Sequence, residues 1–454
     1  MAAFFLSFLL LGYTSAFDPK GDFSSLFMRI IHTSDWHLGQ FFINKSRLQE
    51  HQQFIAWLLQ QVSDLNVDAV IIAGDIFDTG SPPSYARELY NQFVIGMNNL
   101  GRQLIILAGN HDSVSTLNES KEILAQLNTQ VITSAAETLE EQVLQVKDQQ
   151  GHVGAILCAI PYLRPRDIMR SQAGKSGEQK QQALGQAISQ HYQGVFELAK
   201  SQRQELDDNV PIIATGHLTA MGVKSSDSVR DIYIGNLEAF PANQFPAADY
   251  IALGHIHRPQ KVAKTEHIRY CGSPIPLSFD ELGSDKQVLM VDFSDGKLAK
   301  IEPLKIPLFQ PMKVIKGDLA SIEQQFLSLA EQTSASDRED TDNVTDLPTW
   351  LSIEVETEDY LNDLQQRVQA LADGLNVEIL QLRRARKQQQ QRIEREDKEL
   401  LAELTPEDVF ERRLAIEVFD SDEKTERKKR LTQTFSRIVN ELETDLKAEQ
   451  KIED

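Results

Sequence analysis

The chain has almost no cysteine. Two residues in 454, Cys158 and Cys271, stand far apart, which excludes a disulfide framework and suits a reducing compartment, expected to be the cytoplasm. Positive charge is scarce too: 46 Lys and Arg stand against 67 Asp and Glu, for a net charge of −21. A protein that grips nucleic acid unaided usually carries a basic footprint, and this one does not. A phosphate substrate stays open if metal ions or a partner supply positive charge locally. No long apolar run is present, so no membrane association is expected. The N-terminal stretch Phe4 to Leu11, followed by Thr14-Ser15-Ala16, resembles the core and end of a signal peptide, yet no Lys or Arg precedes Lys20. Residues 1–27 are therefore expected to be a leader or an added extension, with Met28 the start, and export is the competing reading.

What is present is the texture of a soluble globular protein, 41% hydrophobic and 25% charged, long enough for two or three domains. From Met28 to about Leu308, short apolar runs such as Ala69–Ala73, Leu104–Leu107, Ala155–Leu157, Pro211–Ala214 and Tyr250–Leu253 alternate with amphipathic stretches. Between Arg47 and Leu65 the apolar residues Phe54, Ile55, Leu58, Leu59 and Val62 recur at helical spacing. Strands alternating with helices predict an α/β fold around a mostly buried sheet. Beyond Pro311 the polar stretch Ser334 to Asp346 reads as a loop. A strand at Trp350 to Val355, a helix at Leu361 to Leu371 and a strand at Val377 to Leu380 then make a small βαβ unit. From Arg383 the chain is charge, Gln and Leu, with helices expected at Glu407 to Phe419 and Thr432 to Leu446. Their narrow apolar stripe fits either a solvated tail or a docking element for a partner helix.

Five apolar runs end in polar clusters: Ser34-Asp35-Trp36-His37, Gly74-Asp75-Ile76-Phe77-Asp78, Gly109-Asn110-His111-Asp112, Gly216-His217 and Gly254-His255-Ile256-His257. Ligands of open α/β sheets bind at the carboxyl ends of strands, so these residues are expected to converge. Each cluster alone is weak to moderate, and most isolated Asp-x-His pairs are ordinary surface residues. Five in series, each after an apolar strand, set coincidence aside. Two carboxylates, one amide oxygen and four imidazoles exceed the needs of one tetrahedral zinc. They suit two divalent ions sharing a carboxylate, with mixed oxygen and nitrogen ligands favouring Mn²⁺ or Fe²⁺ over Mg²⁺. Two ions ~3.5–4 Å apart can clamp a phosphate, activate a water and stabilise the leaving oxygen.

These motifs, in this order, resemble the calcineurin-like metallophosphoesterase superfamily. The stretches HTSDWHLG, AGDIFDTGSPP, LAGNHDS, RDIYIGNLEAFP, ALGHIHRPQ and YCGSPIPLSFDE resemble, more narrowly, its SbcD family of bacterial nuclease subunits, from Met28 to about Glu417. The resemblance implies a β-sandwich core of two mixed sheets flanked by helices over 28–308. It also implies a small α/β capping domain over 312–385 and a helical, partner-docking tail over 386–454. It implies one ion held by Asp35, His37, Asp75 and His257 and a second by Asp75, Asn110, His217 and His255. His111 would serve as the general acid or charge stabiliser, with Asp78 orienting it. The implied activity is Mn²⁺-dependent: 3′→5′ exonuclease on duplex DNA, endonuclease on single strands and hairpins. The implied assembly is a homodimer joined through the nuclease domain, with two subunits of an SbcC-type ATPase.

The remaining candidates read more plainly. Asp112 is expected to close its turn by hydrogen bonds to backbone. His32 is expected to be a satisfied core or supporting histidine, and Trp36 and Tyr270 packing residues. His51, His152, His191 and His267 lack metal-type spacing. Arg383, Arg384 and Arg386 could touch phosphate, although such clusters are more often solvated. A phosphomonoesterase or cyclic-nucleotide phosphodiesterase with the same metal core is the alternative enzyme, and a scaffold without catalysis is the third reading. Intact ligand positions and the presence of His111 argue against the third.

Overall fold

The computed structural model describes residues 27–135, 138–169, 177–206, 209–229, 239–336, 347–356, 364–384 and 429–435. Residues 1–26 of the expected leader and the helix expected at Glu407 to Phe419 lie outside the described residues, while Phe27, the leader's last residue, opens the first strand of the core. Of the last expected helix only the start is described, where residues 429–435 are helical. The described residues 27–384 belong to one unit of the chain and residues 429–435 to another.

The core is two six-stranded mixed sheets. Across the first, the strands run Lys297–Lys305, Gln287–Ser294, Phe27–Thr33, Ala69–Ala73, Gln103–Leu107 and Thr129–Ile132. The first two pairings are antiparallel and the others parallel. Across the second they run Gln260–Lys261, Ile268–Tyr270, Tyr250–Gly254, Ile212–His217, Val153–Cys158 and Val143–Lys147, antiparallel at both edges and parallel between.

Successive residues of each strand face opposite ways. Ile30, Ile71 and Ile105 meet Leu157, Ile213, Tyr250 and Ala252 between the sheets. Their neighbours Ile31, Val70 and Ile106 pack outward, with the helices Leu48–Asp64 and Ser84–Asn99. Ile156, Ile212 and Ile251 do the same with Leu184, Ile188 and Tyr192 of the helix Gly177–Leu206. Burial on both faces is why these strands read as unbroken apolar runs rather than as alternations. The parallel strands bring their carboxyl ends to one edge, where the site lies.

A third, all-parallel sheet of Met312–Gly317, Thr349–Val355 and Val377–Arg384 carries the helices Leu319–Ser336 and Leu364–Ala372. The unit therefore has one strand and one helix more than the sequence pattern predicts. The extra strand escapes the pattern because Lys313 and Lys316 interrupt its apolar period, leaving only Met312 and Ile315 buried. The expected loop at Ser334 to Asp346 also needs correction, since its first three residues continue the helix. This sheet meets the core through Trp350, which stacks on Phe42 with ring centroids 5.6 Å apart. Phe279 meets Phe42 edge-on at 5.0 Å. Beneath them the fully buried Arg47 pairs with Glu50, donates to the Pro276 carbonyl and lies over the Phe42 ring at 5.1 Å.

Candidate metal centre

The polar clusters follow their strands with no spacer, and the turns are tight. Asp35, His37, Asp75 and His255 all adopt positive φ, of 55°, 47°, 52° and 92°. This conformation is costly for non-glycine residues, and it persists where surrounding structure over-determines it. Here backbone hydrogen bonds do so: the Asp35 amide donates to the Gly74 carbonyl at 2.9 Å, and the His37 amide to that of Asp75 at 3.0 Å. Two glycines are dictated by close approach. A Cβ on Gly109 would lie 2.2 Å from Asp75 Oδ1, and one on Gly74, itself at φ +94°, 2.2 Å from His217 Nδ1.

Seven side chains converge from the five strand ends. Asp75 stands in the middle, its Oδ2 3.6 Å from His37 Nε2 and 3.3 Å from His217 Nε2. On one side, Asp35, His37 and His257 each place a ligand atom within 4.8 Å of the others; on the other side Asp75, His217 and His255 do the same. Asn110 Oδ1 joins the second group, 2.9 Å from His217 Nε2 and 3.2 Å from His255 Nδ1. Asp35 and Asp75 are essentially fully buried, as are the four histidines. His217 Nδ1 donates to the Ala73 carbonyl at 2.9 Å, which leaves Nε2, facing Asp75 and Asn110, as the nitrogen that would ligate an ion once its proton is displaced.

His111 sits at the edge of this group. Its amide donates to Asp75 Oδ1 at 2.9 Å, and its Nδ1 meets the Asp78 carbonyl oxygen at 2.7 Å. The Asp78 carboxylate also reaches His37, with Oδ1 3.3 Å from Nδ1, and His37, Asp78 and His111 form a third close group. Asp112 closes the turn, as its sequence position predicts, accepting from the amides of Gly109 at 2.8 Å, Phe77 at 2.9 Å and Ile76 at 3.1 Å. Burial and the neighbouring Asp75 push its carboxyl up to about 6, against those three bonds.

The charge balance favours bound cations. Burial pushes the His217 imidazole down, but the facing Asp75 carboxylate carries it up to about 9. Burial also lowers His37, which Asp78, Asp75 and Asp35 together raise above its ordinary value. Burial alone would raise Asp75; His217, His37 and His111 hold it well below the carboxylate range. Burial and the charge on His217 hold His255 well below the imidazole range, so it is neutral and able to ligate. Its buried Nε2 and that of His37 lack a hydrogen-bond partner among the described residues. Oxygen and nitrogen donors in two groups, orphaned imidazole nitrogens and a shared carboxylate all fit a pair of divalent ions.

A cleft of about 440 Å³ opens over the group. His37, Asp78, His111 and His257 lie on its core side, and Lys316, Ser352, Gln381 and Arg383 of the third sheet form the facing wall. Arg383, a candidate phosphate contact from the sequence, thus lines the cleft, while Arg386 lies outside the described residues.

His32 is buried with its Nδ1 2.8 Å from the Tyr250 hydroxyl, and His51 meets the Trp36 carbonyl through Nε2 at 3.1 Å. Trp36 and Tyr270 are fully buried packing residues, the Tyr270 hydroxyl donating to the Leu218 carbonyl at 2.6 Å. Sequence reasoning missed three residues beside the site: the part-buried Ser228, which lines the cleft, and the buried Glu281 and Lys286, which together form a network around His257. The local signal was Glu281 at the end of the stretch YCGSPIPLSFDE, which carries the family resemblance but gives the residue no role.

Residues 28–259 match the calcineurin-like phosphoesterase family, and residues 308–418 match the SbcD_C family, described as a type 5 capsule protein repressor C-terminal domain. The SbcD subunit of the nuclease SbcCD from Escherichia coli (strain K12) is 53% identical over 416 residues, covering 92% of this chain and 100% of the relative. The proteins of the same name from Rhodobacter capsulatus and Bacillus subtilis (strain 168) are 32% and 30% identical, over 64% and 74% of this chain and 71% and 81% of their own lengths.

Proposed function

The chain belongs to the calcineurin-like phosphoesterases and, within them, to the SbcD family of nuclease subunits, and from that premise we propose that it is a two-metal DNA nuclease working with an SbcC-type ATPase. It cuts duplex DNA from 3′ ends, cleaves single strands internally and opens hairpins. The observation that carries this reading is Asp75 standing between two groups of buried ligand-type side chains, of which His37 and His257 line a cleft.

Asp35, His37, Asp75 and His257 would hold one ion, and Asp75, Asn110, His217 and His255 the other, with Mn²⁺ the best match to the donor set. Bound there, the ions supply Lewis-acid activation of water and neutralise charge on the scissile phosphate. Asn110 contributes an oxygen without adding negative charge where a phosphate must approach. His111 acts as the general acid. A carbonyl oxygen can only accept, so the Asp78 carbonyl keeps one proton of His111 on Nδ1; in the imidazolium form the second proton, on Nε2, is the one given to the leaving 3′-oxygen, which leaves the neutral Nδ1–H tautomer behind. Lys316 and Arg383 bring cations to the cleft wall of an otherwise acidic chain.

We assign catalysis to 28–308, capping of the cleft to 312–385 and partner docking to 386–454. The assembly is a homodimer through the nuclease domain with two ATPase subunits, in the cytoplasm. The buried thiols of Cys158 and Cys271, unpaired with each other, are in keeping with a reducing compartment.

The test is an assay of a labelled duplex, a hairpin and a generic phosphomonoester with Mn²⁺, with and without the ATPase partner, alongside Asp75→Asn. DNA cleavage that Asp75→Asn abolishes supports the reading. Turnover of the monoester alone would replace it with a phosphomonoesterase on the same centre.

A further inference from the structure

Glu281 lies outside every metal-type motif and is fully buried, yet its carboxylate is the hub of a network that ends on His257. One oxygen, Oε1, accepts the hydroxyl of Ser226 at 2.9 Å and that of Ser228, and lies 3.3 Å from His257 Nδ1. The other, Oε2, accepts from the Lys286 ammonium at 2.5 Å, the Leu277 amide at 3.0 Å and the Ser273 hydroxyl at 3.2 Å. Ser228 Oγ stands 2.6 Å from His257 Nδ1. Lys286 also donates to the His257 carbonyl at 3.2 Å, so the same ion pair holds both the ring and the backbone of this histidine.

The direction of these bonds follows from what each group can do. A carboxylate only accepts, so the Ser228 proton points at Glu281. The Ser228 oxygen then accepts, and the group it faces must donate: the proton of His257 sits on Nδ1. That leaves the Nε2 lone pair for a ligand on the side of Asp35 and His37. His217 is held in the same sense by the Ala73 carbonyl. For His257 no backbone carbonyl among the described residues meets Nδ1, and a relay of two side chains takes that part.

We propose that Ser228 and Glu281 are positioning residues for His257, fixing its tautomer and ring orientation through the chain His257 Nδ1–H to Ser228 to Glu281, with Lys286 neutralising the buried carboxylate. The inference rests on the metal-centre reading above. A buried Glu–Lys pair is a weak source of stability, because desolvation offsets its attraction. The loop that carries Glu281 also places Phe279 against Phe42, under the third sheet.

The experiment is a calorimetric titration of the metal-free full-length chain with Mn²⁺. Ser228→Ala breaks the relay and leaves the Glu281–Lys286 pair intact, and Ser228→Thr restores a hydroxyl. The double variant Glu281→Gln with Lys286→Met removes the carboxylate without stranding an ammonium. Wild type should bind two ions. Ser228→Ala and the double variant should weaken one of the two sites about 10–100-fold, the size usual for lost outer partners of metal-bound histidines. Ser228→Thr should recover it, with metal-free melting of both Ser228 variants near wild type. Two unchanged sites in Ser228→Ala and the double variant would overturn the proposal with the metal centre intact. Equal weakening of both sites together with lowered metal-free melting would mark a merely structural role and overturn it as well. A wild type that binds no Mn²⁺ would instead sink the metal-centre reading itself.

Discussion

The backbone amide of His255 donates to Asp35 Oδ1 at 2.8 Å, joining the end of one sheet's strand to the end of the other's, 220 residues apart. The other oxygen of Asp35 accepts the Ser34 hydroxyl at 2.6 Å. One carboxylate thus holds the second sheet's metal-type turn in register with the first and still belongs to the ligand group of His37 and His257.

These two duties separate in Asp35→Asn. The amide oxygen still accepts from His255, so the turn keeps its place and the metal-free protein should melt within a few degrees of wild type. Loss of the charge should weaken the Asp35–His37–His257 site and spare the Asp75–Asn110–His217–His255 site. A Mn²⁺ titration giving one tight ion instead of two checks this; loss of both ions would tell against it.

His111→Leu removes a proton donor and no ligand. The variant should bind two Mn²⁺ as wild type does, while kcat on DNA falls about 10²–10⁴-fold, the range for a lost general acid. Single-turnover cleavage measured with a bound-metal count separates the two effects. A variant that still cuts at the wild-type rate would remove His111 from the mechanism.

Gly109→Ala puts a methyl group 2.2 Å from Asp75 Oδ1 and 2.3 Å from its amide nitrogen. Backbone and a buried ligand must both give way, at a cost of about 1–3 kcal/mol typical of overpacking. Because Asp75 lies between both groups, affinity for both ions should fall together. Urea unfolding and metal titration of the same preparation read the two consequences.

His51 predicts an acid-side loss of stability. Burial, reinforced by Arg47, lowers its imidazole to about 3, so the folded chain keeps it neutral. Below the ordinary value of 6.5 the unfolded chain takes up the proton and the folded chain does not. Stability contributed by this group is therefore present above that value and declines as pH falls toward the folded value. Down to about pH 5 the loss should be on the order of 2 kcal/mol. Urea unfolding of wild type and His51→Gln at neutral pH and at about pH 5 tests it, the variant showing the shallower dependence. Parallel pH dependences would contradict the assignment.

Much of the site is legible in the sequence because its signals are local. An apolar run that stops at a polar cluster, through a glycine in four of the five cases, says where a buried strand ends, and Asp35, His37, Asp75, Asn110, His217, His255 and His257 all stand out on that pattern. Burial on both faces of the core strands writes them as continuous runs, which is why the α/β reading is accessible. The third sheet is half legible: Trp350 to Val355 alternates cleanly, but in Met312–Gly317 two lysines hide the period.

Asp78 marks where residue identity stops being enough. Its position three after Asp75 points to it as the orienter of His111, yet the contact to His111 Nδ1 is made by its backbone carbonyl, and its carboxylate faces His37. Which atom of a residue does the work depends on turn geometry, and composition carries no trace of that.

Sequence by itself determined which chemistries are present and at which strand ends, since strand termination and ligand type are properties of a few consecutive residues. Tertiary structure alone decided that Asp75 lies between two groups, that four residues of the turns take positive φ, and that Glu281 stands behind His257. The partners of Glu281 lie 55, 53, 24, 8 and 5 residues away. No local pattern encodes such distances; they exist only once two sheets pack and close their loops over one edge.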